Sequence, residues 1–238
     1  MPYARLARAA NKLSLFIRGA QLRRKYREWT MVPQGSYWKN LAVARQAACI
    51  AGCVVECGTW KGGMLAGLAE TLGPERRYVG FDSFAGLPPA QPIDGVEAMQ
   101  YQADRSGVWY HDNCTAKQSE AETALRMSGA QRVEFVAGWF AETVPGWVAP
   151  EPIALLRLDG DWYDSTKVCL QHLIPQMAPG GIVIVDDYYA WGGCAKAVHE
   201  WLATTDPPVR LRQAHNDVCY FTMPMTAIGE TGVLDGTR

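Results

Sequence analysis

Short apolar runs, separated by turns and by longer amphipathic stretches, follow one another through the middle of the chain. They cover residues 53–57, 77–81, 132–136, 153–158 and 181–185. The last two runs contain almost no polar residue, so they do not alternate as the strands of a half-exposed sheet do. Such runs are typical of strands that are buried on both faces of a parallel sheet covered by helices. We therefore predict five parallel strands.

Helices are predicted between these strands. One covers residues 61–72 and ends before Gly73 and Pro74, a second covers residues 119–127, and a third runs from about residue 193 to residue 203. Residues 1 to about 50 are predicted to be helical, most clearly over 41–50. The insert between residues 84 and 113 and the N-terminal helices are expected to form a substrate lid, because long inserts carry specificity.

Two further extended stretches, residues 209–212 and 218–223, lie close together in the sequence and predict a hairpin, which would add an antiparallel edge to the sheet. Strands that alternate with helices predict a doubly wound α/β domain with a mostly parallel sheet of seven strands. The expected organisation is an N-terminal helical segment over residues 1–50 that forms the lid or oligomer contacts, a main domain over 51–225 and a tail over 226–238.

Length and composition place the chain among ordinary globular proteins. It has 238 residues, of which 48% are hydrophobic and 20% charged, and this suffices for one well-packed domain. The formal net charge of −1 gives no reason to expect a nucleic-acid partner. Eight Lys and Arg residues nevertheless precede Glu28 without any acidic residue. They predict a basic solvated helix, and contact with a membrane surface or an anionic substrate is the alternative.

The cysteines and the apolar segments indicate where the protein is found. The seven cysteines follow no C-x-x-C spacing, and the four histidines show no ligand spacing, so we expect reduced thiols and no zinc site. The sequence has no apolar stretch long enough for a transmembrane segment, and a signal peptide is not expected. A cytoplasmic protein is the resulting expectation.

Two pairs of carboxylates follow the fourth and fifth apolar runs. Asp159 and Asp161 come directly after residues 153–158, and Asp186 and Asp187 come directly after residues 181–185. If the two strands are neighbours, their ends lie about 4.8 Å apart, and carboxylates this close repel one another unless they are protonated or bridged by a cation. Clusters of oxygen ligands suit hard ions such as Mg²⁺. The sequence therefore predicts a magnesium site.

The turns after the first three strands offer a place for a nucleoside cofactor. The turn that begins at Glu56 is rich in glycine and carries an acidic residue, which suits the ammonium group of S-adenosylmethionine, although an ordinary strand-to-helix turn is the alternative. Asp82 ends the second strand, where a carboxylate can bind ribose hydroxyls or merely begin a turn. The segment that begins at Gly138 and Trp139 could contact adenine or belong to the core.

Together these segments resemble the macrocin O-methyltransferase family. The motifs that carry the resemblance are ECGTWKGG, FDSFAGLP, GWFAETVP, LRLDGDWYDST and PGGIVIVDDY, which occur in this order between about residues 31 and 223. The resemblance implies a class I methyltransferase with a Rossmann-like sheet. It also implies Mg²⁺-dependent transfer of a methyl group from S-adenosylmethionine to a hydroxyl of a sugar, in a small glycosylated molecule or an oligosaccharide, and a homo-oligomer.

The resemblance also assigns roles to residues. It implies that Asp159, Asp186 and Asp187 bind Mg²⁺ and that Asp161 is the general base. The cofactor pocket would be formed by nine residues, namely Glu56, Gly58, Thr59, Trp60, Asp82, Ser83, Gly138, Trp139 and Asp159.

Three alternatives remain at this stage. A catechol- or caffeoyl-CoA-type O-methyltransferase would act on an aromatic diol, but such enzymes typically carry Asp-Asn where this chain has Asp186 and Asp187. A nucleotide-dependent hydrolase or oxidoreductase is disfavoured because the sequence has neither a P-loop nor G-x-G-x-x-G. A non-catalytic nucleoside-binding protein is disfavoured because burying four acids without metal chemistry is costly.

Overall fold

The computed structural model describes residues 16–108, 110–215 and 218–225, and a single sheet forms its centre. Its strands are β1 (Cys53–Cys57), β2 (Arg77–Asp82), β3 (Arg132–Ala137), β4 (Ile153–Leu158), β5 (Met177–Val185), β6 (Arg212–Gln213) and β7 (Cys219–Thr222). They are arranged in the order β3-β2-β1-β4-β5-β7-β6. Strands β1 to β5 are parallel to one another, and β7 is antiparallel to β5 and β6. The predicted fold class is confirmed.

Helices cover both faces of this sheet. Residues 16–25 are helical (α1), and the later helices are α2 (Gln34–Ala44), α3 (Gly63–Leu72), α4 (Val96–Ala103), α5 (Gln118–Ser128), α6 (Phe140–Thr143), α7 (Tyr163–Leu173) and α8 (Gly192–Leu202). Among the residues described, no helix combines the length and the hydropathy that crossing a membrane requires.

The central strands are buried on both faces, as their composition predicts. Leu155 on β4 packs with α1, α2, α3 and α5 on one face of the sheet, and Leu156 packs with α7 and α8 on the other. Val54 and Val55 on β1 divide between the two faces in the same way. Successive residues of a strand face opposite sides of the sheet, and both sides are covered here. Apolar residues are therefore needed at every position, which explains the continuous apolar runs in the sequence.

The order of the strands also places the functional site. The chain moves outward from β1 to β2 and β3, and then returns to the other side of β1 to form β4 and β5. The direction of winding therefore changes between β1 and β4. In open α/β sheets a ligand binds in the crevice outside the carboxyl ends of the strands at this point.

Several predicted elements have different bounds. The predicted helix over residues 41–50 is instead α2, which ends at Ala44 and continues as a 3-10 turn over Arg45–Ala47, because the chain must turn there to enter β1. Strand β6 has only two residues, Arg212–Gln213, whereas the predicted extended stretch covers residues 209–212. The predicted tail over 226–238 and most of the basic N-terminal stretch lie outside the described residues.

The insert after β2 is more ordered than a polar loop, since it contains α4. Asp94 in this insert accepts a hydrogen bond from the backbone N–H of Tyr163, at 2.7 Å from its Oδ1. It thereby satisfies one of the free N–H groups at the start of α7. Trp162 occupies the N-cap position of this helix and makes no side-chain cap. A cap from a distant loop has no local sequence signal.

Candidate active site

The carboxyl ends of β1, β4 and β5 open into a cavity of about 640 Å³. Asp159 follows β4 and Asp186 follows β5, and the register of the sheet sets them side by side: the N–H of Asp159 donates to Cys57 O and the N–H of Asp186 donates to Leu158 O, both at 2.9 Å. Asp159, Asp161, Asp186 and Asp187 all line the cavity. The sequence prediction that these four acids meet in one place is therefore consistent with the geometry.

A buried arginine lies behind two of these acids. The side chain of Arg157, only 1% exposed, donates from Nη1 to Asp159 Oδ2 at 2.7 Å and to Glu56 Oε1 at 3.0 Å, and from Nη2 to Asp186 Oδ2 at 2.6 Å. Burial alone would lower the pKa of Arg157, but the charges of Asp159, Asp186 and Glu56 outweigh it and raise the pKa. The guanidinium is therefore a fixed positive charge.

Helix α2 contributes to the same network through Asn40. Its Oδ1 accepts a hydrogen bond from Arg157 Nε at 3.1 Å, and its Nδ2 donates to Asp186 Oδ1 at 2.8 Å. Asp186 is thus held through both carboxylate oxygens. Sequence reasoning missed Arg157 and Asn40. A charged residue inside the apolar run 153–158 was the available signal for Arg157, whereas nothing marked Asn40.

Asp161 and Asp187 form the second pair of acids. The backbone N–H of Asp161 donates to Asp187 Oδ2 at 3.1 Å, and Trp191 Nε1 donates to Asp161 Oδ1 at 2.8 Å. Desolvation and the negative charge of Asp159 raise the pKa of Asp161 to about 8. Desolvation, Asp161 and Asp159 also raise the pKa of Asp187 well above its usual range. Negative charge is in excess here.

The donor chemistry of the site fits a hard divalent cation. Arg157 pairs with Asp159, Asp186 and Glu56, while none of the described Lys or Arg residues forms an ion pair with Asp161 or Asp187. The excess carboxylate charge and the oxygen-only donors are what Mg²⁺ prefers. Within the described residues, however, no three Asp, Glu, His or Cys side chains are already arranged so that they could hold a metal ion. Binding would therefore require carboxylates to reorient.

The turn between β1 and α3 forms another wall of the cavity. Gly58 has φ 90°, and a Cβ atom there would lie 1.8 Å from Asp159 O, so only glycine fits this close approach. Asp82 at the end of β2 fixes the turn, because its Oδ2 accepts from the N–H of Trp60 at 2.6 Å and its Oδ1 accepts from the N–H of Phe84 at 2.7 Å. Each oxygen keeps a further lone pair for a ligand.

Six of the nine predicted cofactor residues line the cavity. They are Gly58, Trp60, Asp82, Ser83, Trp139 and Asp159. Three lie behind it: Thr59 donates to Phe81 O, the N–H of Gly138 donates to Asp82 O, and Glu56 is completely buried against Arg157. Burial raises the pKa of Glu56 to about 8. Glu56 therefore supports the network around Arg157 in this structure and does not face the cavity.

Two segments distant in sequence complete the walls. The start of α2 and the residues before it contribute Met31, Val32, Pro33 and Ser36. The insert contributes Leu87, Pro88, Tyr101 and His111, and Cys114 follows directly after it. These are the two regions that the sequence predicted as a lid, but no signal marked the individual residues. Most of them are apolar, so these parts of the wall are largely uncharged.

Comparisons with known proteins identify relatives. A profile of the family described as Macrocin-O-methyltransferase (TylF) matches residues 36–222. The 8-demethyl-8-(2,3-dimethoxy-alpha-L-rhamnosyl)-tetracenomycin-C 4'-O-methyltransferase of Streptomyces olivaceus is 38% identical over 161 residues, which are 64% of this chain and 58% of that protein. The demethyldecarbamoylnovobiocin O-methyltransferase of Streptomyces niveus is 34% identical over 181 residues, 72% of this chain and 66% of that protein.

Solved structures give the same relationship. The O-methyltransferase NovP superposes with a TM-score of 0.66 and 29% identity, over 79% of this chain and 80% of that structure. The match to the two Streptomyces enzymes spans about three fifths of the length of one and two thirds of the other.

Proposed function

We propose that this chain, which belongs to the macrocin O-methyltransferase family, transfers the methyl group of S-adenosylmethionine to a hydroxyl of a sugar in a glycosylated small molecule. One observation carries the proposal. Asp159, Asp161, Asp186 and Asp187 share a cavity with the glycine turn at Gly58, so the proposed base and metal ligands border the same space as the proposed nucleoside site.

The donor side of the cavity suits an adenosyl group. We assign the ribose hydroxyls to Asp82, whose carboxylate ends β2 at the cavity wall, and the adenine to Trp139 and Phe140. The start of α3 and the turn at Gly58 let a ligand approach the backbone closely. S-adenosylmethionine supplies the electrophilic methyl group, which the acceptor oxygen takes while the electrons of the S–C bond remain on sulfur, leaving S-adenosylhomocysteine.

Asp161 is the proposed general base. Its carboxylate takes the proton when the O–H bond of the acceptor breaks, and the oxygen lone pair forms the new bond to the methyl carbon. The surrounding walls hold the acceptor in line with the donor, which is the main contribution of the protein to such a transfer.

Mg²⁺ is the proposed metal, with Asp159, Asp186 and Asp187 as the residues that would hold it. When bound it would lower the pKa of an acceptor hydroxyl and offset the excess carboxylate charge. Arg157 and Asn40 hold Asp186, and Arg157 holds Asp159, so two of the three proposed ligands are anchored at the cavity and would have to reorient toward the ion.

The sugar acceptor is proposed from the relatives and from the cavity. The names of the two Streptomyces enzymes include a rhamnosyl-bearing tetracenomycin and a novobiocin precursor, and both chains are similar to this one. The apolar wall formed by Met31, Val32, Leu87 and Tyr101 suits an apolar aglycone beside the sugar.

The test is methyl transfer with labelled S-adenosylmethionine and Mg²⁺ to demethyldecarbamoylnovobiocin, p-nitrophenyl α-L-rhamnoside and catechol. We expect transfer to at least one glycoside, and Asp161→Asn should lower kcat by about 10²-fold or more. Asp164→Asn, an exposed acid outside this cavity, is the matched control and should retain activity. Turnover of catechol alone would contradict the proposed substrate class, and equal activity of the two variants would contradict the role of Asp161.

A further inference from the structure

The indole of Trp191 is hydrogen-bonded to the proposed base. Its Nε1 donates to Asp161 Oδ1 at 2.8 Å, and both residues line the cavity. Trp191 lies immediately before α8, so it reaches Asp161 from a different part of the chain than β4, which carries the acid. A donor from an independent element can fix one oxygen of the carboxylate relative to the sheet.

The backbone of Asp161 has an unusual conformation that the surroundings must maintain. Its φ of 56° lies in the left-handed region, which a non-glycine residue adopts only where its surroundings hold it there. The N–H of Asp161 donates to Asp187 Oδ2 at 3.1 Å, and this contact holds the backbone but leaves the side chain to be fixed by other groups. Trp191 supplies the side-chain contact.

The ring of Trp191 is itself held by aromatic neighbours on two sides. Its centroid lies 5.2 Å from that of Trp162 in an edge arrangement and 5.6 Å from that of Tyr101. Trp162 is buried and donates from Nε1 to Pro88 O at 2.9 Å, so the insert also fixes the position of Trp162. Tyr101 lies on α4 of the same insert and lines the cavity. The insert and the base are thus joined through one indole ring.

We propose that Trp191 is a positioning residue: it holds Asp161 so that the other carboxylate oxygen meets the acceptor hydroxyl, and its contact with Tyr101 links the insert to the base. The inference rests on the proposed function, because it gives Trp191 a role only if Asp161 takes the proton. Proton transfer depends on hydrogen-bond distance and direction, so a carboxylate free to rotate is a poorer base than one held by a donor.

The test compares Trp191→Phe with Trp201→Phe. Trp191→Phe removes the N–H donor but keeps a ring against Trp162 and Tyr101. Trp201→Phe makes the same change on α8 where the ring stacks on Phe221, away from the cavity. With demethyldecarbamoylnovobiocin or p-nitrophenyl rhamnoside as acceptor, we expect Trp191→Phe to lower kcat about tenfold or more while KM for S-adenosylmethionine changes less than about threefold. Trp201→Phe should leave both within about twofold.

A double-mutant cycle separates positioning from a direct contact with the acceptor. In the Asp161→Asn background, Trp191→Phe should cost little further kcat, because two residues that act through one step are not additive. A tenfold loss that persists in that background would overturn the inference, as would a kcat for Trp191→Phe equal to that of Trp201→Phe.

Thermal unfolding of each variant confirms that the comparison concerns folded protein. If Trp191→Phe does not unfold cooperatively, Trp191→Tyr, which also lacks the indole donor, replaces it with the same expected outcomes. Failure of the unaltered protein to methylate any glycoside would contradict the proposed function and, with it, the inference. Activity of the unaltered protein with an unaffected Trp191 variant would contradict the inference alone.

Discussion

The guanidinium of Arg157 lies against the carboxylate of Asp186, with 2.6 Å between Nη2 and Oδ2, and so joins β4 to the turn after β5. The same side chain pairs with Asp159 and Glu56. The pair with Glu56 is completely buried, whereas the side chain of Asp186 is 12% exposed and that of Asp159 is 25% exposed. Removal of this cation leaves the carboxylates of Asp159 and Asp186 without their counter-charge.

Arg157→Met should therefore destabilise the protein strongly. Breaking a buried ion pair by removing one partner costs about 3–5 kcal/mol, since the other charge is left buried and unpaired. Arg157→Lys should recover only part of this, because one ammonium cannot reach carboxylates on three sides as the planar guanidinium does. Chemical denaturation with urea measures both variants.

Arg27→Met is the control for the loss of an arginine as such. Arg27 pairs with Glu28 at the surface, where both side chains are 67% exposed, and such pairs contribute about 0–1 kcal/mol. A free energy of unfolding for Arg157→Met within about 1 kcal/mol of that for Arg27→Met would contradict the network described here.

Glu56 should make the stability depend on pH. Burial raises its pKa from an ordinary value near 4.5 to about 8, so between these values the folded protein keeps a proton that the unfolded chain releases. Stability contributed by this group therefore falls as the pH rises from about 4.5 to 8 and is constant above. Glu56→Gln removes the ionisation. The Tm of this variant minus that of the unaltered protein should therefore increase as the pH rises from about 4.5 to 8, and by pH 8 the increase should be roughly 3 °C or more.

This pH series is measured in EDTA, because a bound cation would change the charge balance beside Glu56. Glu97→Gln, an exposed acid on α4, controls for the loss of one negative charge and should show a Tm difference independent of pH. A Tm difference for Glu56→Gln that is equally flat from pH 4.5 to pH 8 would show that Glu56 is already ionised in the folded protein.

The sequence was sufficient to predict the sheet but not the interior of the site. The runs that form β1 and β4 were predicted with their observed bounds, because burial on both faces leaves a continuous apolar pattern. The four acids were also placed at one cavity, since parallel strands bring their carboxyl ends to the same edge. The apolar pattern therefore predicts the strands, and the position of the acids directly after two strands predicts where they meet.

Contacts between distant segments could not be predicted. Asn40, which lies on α2, reaches Asp186 across 146 positions, and no local pattern encodes such a pairing. Glu56 was assigned to the cofactor because it lies in the glycine turn, but its side chain points to Arg157, which became visible only when β1 and β4 were adjacent. Side-chain direction at a strand end depends on the neighbouring strand, and the sequence did not specify it.

Mg²⁺ should stabilise the protein through the acids at the cavity. A ligand that binds only the folded state at 100 times its Kd adds about 2.7 kcal/mol, which corresponds to roughly 5 °C or more in Tm for a chain of this size. Asp187→Asn should abolish this shift, because Asp187 is one of the three proposed ligands. Asp164→Asn, an exposed acid, should keep it. Equal Mg²⁺-dependent shifts in the two variants, or no shift in the unaltered protein, would refute the proposed metal site.

Asp82 should control the affinity for the methyl donor. Its carboxylate holds the turn through the N–H groups of Trp60 and Phe84 and lines the cavity, where we assign it to the ribose. Hydrogen bonds to a charged group contribute about 1.5–3 kcal/mol, so Asp82→Asn should weaken the binding of S-adenosylhomocysteine about 10- to 100-fold by calorimetry. Asp104→Asn, an exposed acid in the insert, should bind it as the unaltered protein does. Unchanged affinity of Asp82→Asn would contradict the assignment of the ribose to Asp82. Among the predicted cofactor residues that line the cavity, only Asp159 also carries a charge.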